Sequence, residues 1–308
     1  MGPRIGLHHV TSYRYERAVA LSPHEVRLRP APHSRTPILS YSLSVLPTTH
    51  LINWLQDPYG NYVARYIFSD KTDQLRVAVD LVADMTVHNP FDFFIEPYAE
   101  RFPFSYLVPL QDDLLGYLRC DPPGALLSKW LAQVRQDFAG ATVGTIEFLV
   151  SLNRRLARDV AYEVRMAPGV QTPEQTLQLA RGSCRDSTWL LVHILRHLGL
   201  GARFVSGYLV QLTAPVSGAG AGTAGAAVPD GPAADGADLH AWVEVYIPGA
   251  GWIGLDPTSG LLTGEGHIPL ACSASPGSAA PITGQAETAA VSFDHEMRVT
   301  RLPDDSGQ

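Results

Sequence analysis

The hydrophobic period of the chain changes near residue 120, and that change restricts the folds open to it. The first 90 residues contain short runs rich in β-branched and aromatic side chains: VTSYRYERAV, HEVRLRPAP, ILSYSLSVLP, NYVARYIFS and LRVAVDLVADM. Turn-forming stretches separate them, among them Asp57-Pro58-Tyr59-Gly60-Asn61 and Ser69-Asp70-Lys71. With few helical patterns between them, these runs predict an antiparallel β-sandwich, placed in an N-terminal domain over residues 1–120. Residues 90–112, dense in proline and aromatics, read as a connection, and Cys120-Asp121-Pro122-Pro123 as the boundary.

Beyond it the apolar spacing becomes helical over 124–138 (Leu126, Leu127, Trp130, Val134) and 144–158 (Ile146, Leu149, Leu152, Leu156). Thr172-Pro173-Glu174-Gln175 has the hydroxyl cap, first-turn proline and Gln of a helix start, and that helix is expected to stop at Gly182. Another follows from Cys184 to Leu198 and ends at Gly199. Strands are expected over 202–212, 239–247 and 251–256, with one more in VSFDHEMRVTRL (291–302). The fold class is α+β, with residues 121–308 forming the second domain. Residues 213–238 are Ala/Gly/Pro-rich, cannot fill a core, and read as a flexible insertion.

Composition narrows the function classes. Of 308 residues, 23 are Lys or Arg and 30 Asp or Glu, a formal charge of −7, which gives no general attraction to nucleic acid. Charged residues at 17% and apolar ones at 45% exclude wholesale disorder, collagen and coiled coil. No apolar stretch reaches membrane-spanning length, and the N-terminus lacks the apolar segment of a secretory signal. The expectation is a cytoplasmic protein without membrane partners. The three cysteines stand far apart, which suits free thiols rather than a disulfide framework or a paired-cysteine zinc site.

Cys184 is the first candidate for chemistry. Ser183-Cys184-Arg185-Asp186 fits a capping box, with Ser183 as cap and Asp186 at the third helical position. Cys184 then lies in the first turn, where unpaired N–H groups and the positive helix end favour a thiolate. STWLLVHILRHLG is apolar around most of its circumference, as in a buried central helix. A small buried apolar cysteine would satisfy the same local pattern.

A nucleophilic thiol needs a base and an orienting group. HAWVEV (240–245) and GWIGLD (251–256) flank YIPGA. A five-residue loop pairs Val245 with Gly251 and His240 with Asp256. It keeps Ala241, Val243, Val245, Ile253 and Leu255 on one face and His240, Trp242, Glu244, Trp252 and Asp256 on the other. A two-residue Gly-Ala loop would oppose apolar to polar side chains, since a one-residue slip flips every side chain. The alternative is a hairpin with an exposed histidine and a turn-starting Asp-Pro.

GSCRDSTWLLVHILRHLGLGARFVSGYL, followed by LHAWVEVYIPGAGWIGLDPTSG, resembles the core of bacterial transglutaminase-like proteins, a branch of the papain-like cysteine fold. HVTSYRYERAV and the rest of the first 90 residues resemble the β-rich region that precedes this core. The resemblance implies a central helix packed on an antiparallel sheet, with Cys184 as nucleophile, His240 as general base and acid, and Asp256 as orienter. It implies acyl transfer on a protein or peptide carboxamide, without cofactor or metal. GHIPLACS (266–273) is closest to a subset whose members carry a large additional C-terminal region.

The same triad serves a peptidase or amidase. A binding module with a silent core and a mononuclear metal site are the competing classes. The Cys184 N–H is the expected first oxyanion donor, and Gln178, six residues upstream, a candidate for the second. His8-His9 lacks a third ligand nearby and reads as strand histidines. His193 and His197 stand four apart on the central helix without the glutamate of a zinc-protease motif and read as partly exposed. Trp242 and Trp252 either wall a substrate groove or pack the sheet. Cys120 and Cys272 have no base in a readable motif.

Overall fold

The computed structural model describes residues 2–140, 142–213 and 234–303. Most of the Ala/Gly/Pro-rich stretch at 213–238, and with it the expected flexible insertion, lies outside the described residues.

The N-terminal half forms strands β1 (Arg4–Val19), β2 (His24–Val26), β3 (Ile38–Leu46), β4 (His50–Gln56), β5 (Tyr62–Phe68) and β6 (Thr72–Asp84). A short strand β7 (Arg101–Phe102) and two single-turn helices, α1 (Leu110–Asp113) and α2 (Leu115–Leu118), lie in the connection. The second half runs α3 (Ala125–Asp137), β8 (Val143–Gly144), α4 (Thr145–Asp159), β9 (Ala161–Tyr162), α5 (Pro173–Leu179), β10 (Arg181–Gly182), α6 (Cys184–His197) and β11 (Ala202–Gln211). It continues through β12 (Gly236–Ile247), β13 (Gly251–Asp256), β14 (Leu261–Leu262), β15 (His267–Ser273), β16 (Ile282–Thr283) and β17 (Val291–Arg301).

Two four-stranded antiparallel sheets, β17-β1-β6-β3 and β16-β2-β5-β4, make the expected sandwich. Its interior holds Ile5, Leu7, Val26, Leu28, Tyr66, Leu75, Val79 and Leu81. The tail strand exists where the alternation of VSFDHEMRVTRL placed it, but it does not join the second half. It pairs with β1 from Ile5↔Arg301 to Tyr15↔Val291, so the tail of the expected second domain lies in the N-terminal sheet. The long β1 would otherwise present a free edge, and β17 covers it.

The core is a five-stranded sheet, β14-β13-β12-β11-β15, with α6 packed on one face. Leu190, Leu191, Val192, Ile194 and Leu195 of α6 are fully buried against Ala241, Val243, Val245 and Leu255. At about 1.5–3 kcal/mol per fully buried side chain, this contact anchors the helix by on the order of 10 kcal/mol. A buried Leu→Ala change there would cost about 2–5 kcal/mol. Gly199, with φ of 81°, ends the helix as expected. The preceding α5 starts with the predicted capping box, Thr172 to Gln175, but stops at Leu179 because Ala180 adopts the left-handed conformation. Arg181-Gly182 then pairs in parallel with Ala161-Tyr162.

The hairpin register differs from the expected one by two residues. Ile247 pairs with Gly251 and Val243 with Leu255, so the loop is Pro248-Gly249-Ala250. Gly249 and Gly251 take positive φ, 86° and 77°, which lets three residues close the turn. This register also brings Ile247 onto the apolar face, whereas a five-residue loop would leave it out of the ladder. A shift of two preserves the face of every side chain. His240 and Asp256 therefore share a face as diagonal neighbours, and the direct cross-strand pairing does not form.

Candidate active site

Cys184 is the first residue of α6. Ser183 caps the helix, and both its backbone N–H (2.9 Å) and its hydroxyl (2.7 Å) donate to Asp186 Oδ2. Asp186 is fully buried and also accepts a bidentate pair from Arg165, Nε and Nη2 at 2.8 Å each, and the Gln171 N–H at 2.7 Å. Burial alone would raise its pKa. The bonds from Arg165, Gln171 and Ser183 outweigh burial and hold the carboxyl at about 2. Arg185 Nη2 donates to the carbonyls of Arg165 and Ala167. The 165–171 loop is thus bound to the first turn of α6, where Cys184 is partly exposed.

His240 lies near the start of β12 with its side chain 8% exposed. Its Nε2 is 3.2 Å from Asp256 Oδ1 and 3.4 Å from Thr258 Oγ1. Cys184 lies close enough to the ring to favour its protonated form. Burial opposes protonation of the imidazole. The hydrogen bonds and charges of Asp256 and Cys184 prevail and raise its pKa to about 10.

Asp256 ends β13 and is 2% exposed. Its Oδ1 accepts the Thr258 N–H (2.9 Å) and hydroxyl (2.7 Å), and its Oδ2 accepts the Ser259 hydroxyl (3.0 Å). Burial pushes the carboxyl up, but the neighbouring imidazoles of His240 and His267, the His240 charge and the Thr258 donor hold it well below the ordinary range. Asn153 of α4 donates to the carbonyls of Asp256 and Leu261 and clamps the intervening turn.

The structure thus brings Cys184, His240 and Asp256 together at one site. It does not bring Gln178 there: that side chain is exposed on α5 and makes no hydrogen bond among the described residues. The Cys184 N–H is likewise unused among the described residues. Trp242 packs with Val205 and Cys272, and Trp252 stacks under Arg203 with 4.2 Å between guanidinium carbon and ring centroid. Both tryptophans pack the sheet and also line a cavity of about 210 Å³ shared with Arg203 and His267. His193 is 8% exposed, more buried than its helical position suggested, and packs edge-on against Trp189. Cys120 has a base after all, His197 Nδ1 at 3.5 Å, although burial raises its thiol pKa. His8 bonds Asp80, while His9 is buried between Tyr208 and Thr11.

Two residues beside the triad escaped the sequence reading. His267, in the GHIPLACS motif, lies 3.6 Å from Asp256 Oδ2. Tyr162 pairs with Gly182, and its hydroxyl pKa is raised by burial and by the charges of Cys184, Asp238 and Asp256.

A thiol at the start of a buried helix, beside an imidazole and a carboxylate on the adjoining antiparallel sheet, is the arrangement expected of a transglutaminase-like core. Residues 132–257 match the transglutaminase-like superfamily, and residues 5–84 match the bacterial transglutaminase-like N-terminal region. An uncharacterized protein of Mycobacterium leprae is 23% identical over 97% of this chain and 99% of its own length. One from Mycobacterium tuberculosis is 24% identical over 84% of this chain and 80% of its own. The crystal structure of a candidate cysteine protease from Cytophaga hutchinsonii superposes with a TM-score of 0.68 at 18% identity, covering 100% of this chain and 93% of that one.

Proposed function

We propose that the protein catalyses cysteine-dependent acyl transfer on carboxamides of proteins or peptides. The observation that carries this reading is the His240–Asp256 pair, 3.2 Å apart, beside Cys184 at the start of α6. The Cys184 sulfur adds to the carboxamide carbon, with the developing oxyanion facing the free Cys184 N–H at the helix start. His240 then gives its proton to the departing nitrogen, the C–N bond breaks, and a thioester remains on Cys184. An amine or water then attacks the thioester and gives a proton to His240, the C–S bond breaks, and Cys184 leaves as the thiolate beside the reprotonated imidazole. Asp256 keeps the imidazole oriented and stabilises its cationic form.

The test is incubation with a glutamine-containing peptide and a labelled primary amine, with ammonia release and amine incorporation followed together. Incorporation identifies transfer, and ammonia release without incorporation identifies hydrolysis. Both should vanish in Cys184→Ala. Turnover that survives Cys184→Ala refutes the reading.

A further inference from the structure

After β14 the chain crosses the face of the sheet opposite α6. The Thr263 N–H donates to the Gly254 carbonyl at 3.1 Å, and a Cβ on Gly254 would collide with the Thr263 side chain. This close crossing delivers His267 to Asp256. The His267 ring sits edge-on against Trp242, with centroids 5.2 Å apart and planes at 86°, which fixes its plane. Its Nδ1 accepts the Gly264 N–H at 3.3 Å. That nitrogen therefore carries the lone pair, and the neutral ring has its proton on Nε2. The Nε2 is buried, has no hydrogen-bond partner within 3.5 Å among the described residues, and points at Asp256 Oδ2, 3.6 Å away.

We propose that His267 is a positioning residue of this site, donating Nε2–H to Asp256 Oδ2 so that Oδ1 stays aimed at His240. The proposal rests on the triad reading above. Apart from His267, Oδ2 is held among the described residues only by the Ser259 hydroxyl, whereas Oδ1 has Thr258 and His240. A carboxylate fixed at both oxygens cannot swing Oδ1 away from the imidazole. His240, Asp256 and His267 also have the composition of a metal cluster, with ligand atoms within 4.8 Å of one another. A cation on His267 Nε2 would need the proton moved to Nδ1, which would set it against the Gly264 N–H. The tautomer thus favours a donor over a ligand.

The test compares His267→Ala and His267→Gln in the full chain, since the glutamine amide can supply a donor at similar reach. Iodoacetamide alkylation of Cys184 needs no substrate and reads the triad directly. The alanine variant should slow both alkylation and kcat by ~10–10²-fold, the scale of a small misplacement of reacting groups. KM should change little, and glutamine should restore most of the rate. A loss of melting temperature with unchanged alkylation and kcat would overturn the proposal, as would a glutamine variant no better than alanine. If the alanine variant does not fold, the 15N shifts of His267 in the wild type decide: a proton on Nδ1 overturns the proposal. Absence of amide turnover in the wild type counts against acyl transfer alone, because the alkylation and 15N arms still report on His267.

Discussion

Replacing Asp256 by Asn removes one negative charge 3.2 Å from His240 Nε2 while keeping an oxygen for the Thr258 donors. Two unit charges at that distance interact by about 5 kcal/mol at an effective dielectric of ~20, equivalent to nearly 4 pKa units. The Asn dipole and local relaxation return part of this, so a fall of at least ~2 units is expected. The sign follows from which form the charge favours. Asp256 stabilises the imidazolium, so its loss moves the His240 midpoint from about 10 toward neutrality. The ratio of Cys184 alkylation by iodoacetate to that by iodoacetamide reports this charge, because only the anionic reagent is attracted by an adjacent imidazolium. In the wild type the ratio should stay high well into the alkaline range. In Asp256→Asn it should collapse near neutral pH, with turnover down by ~10²–10⁴-fold, the scale of a wrongly held imidazole. An unchanged or raised midpoint in the variant would refute the electrostatic reasoning, whatever happened to turnover.

Three further outcomes are expected. Cys184 should be alkylated faster than the other two thiols, because burial raises Cys120 and pushes Cys272 up to about 12; peptide mapping after timed alkylation checks this. Burial lowers His9 and His193 to about 4, so both contribute stability above pH 6.5 that is lost as pH falls through the 6.5-to-4 window. His240, raised to about 10, contributes stability below pH 6.5 that is lost as pH rises toward 10; urea midpoints across pH should therefore fall at both ends. Asp186→Ala leaves Arg165 unpaired beside the helix start and should cost about 3 kcal/mol in a denaturant titration; a change below ~1 kcal/mol would mean the buried anchor is dispensable.

The parts of the molecule that were legible in sequence are those in which local pattern carries the signal. The capping boxes at Thr172 and Ser183 are set within four residues, and both helices start where predicted. The period of two placed His240 and Asp256 on one face, although the loop glycines moved the register by two. What escaped was non-local or unpatterned. Strand β4, HLINWLQ, leaves Leu51, Ile52 and Trp54 exposed at the sandwich edge, so its apolar residues do not alternate. The Arg165–Asp186 pair spans 21 residues and the Cys120–His197 contact 77, with no spacing rule to join them. His267 reaches Asp256 through a crossing that depends on a glycine on another strand.

The sandwich also bears on the site, through β15. The apolar interior that holds Leu7, Leu28 and Leu81 continues into Tyr208 and Val210 of β11 and Ile268 and Leu270 of β15. Asn61, in the β4–β5 turn, is 1% exposed and pairs with both backbone groups of Cys272, donating to its carbonyl at 2.8 Å and accepting its N–H at 2.9 Å. The Ala31 N–H donates to the Pro269 carbonyl (2.7 Å), and the Thr36 hydroxyl donates to the Glu265 carbonyl (2.7 Å). These bonds lie along 265–272, the segment that carries His267. Each is worth about 1 kcal/mol net, but leaving the buried backbone groups unpaired would cost more, so the N-terminal half fixes where β15 runs. One face of the core sheet is thus set by α6, which carries Cys184, and the opposite face by the sandwich, which holds the strand behind Asp256. The proposed nucleophile is placed by α6, and His267, beside the orienting carboxylate, by a strand that the N-terminal half holds.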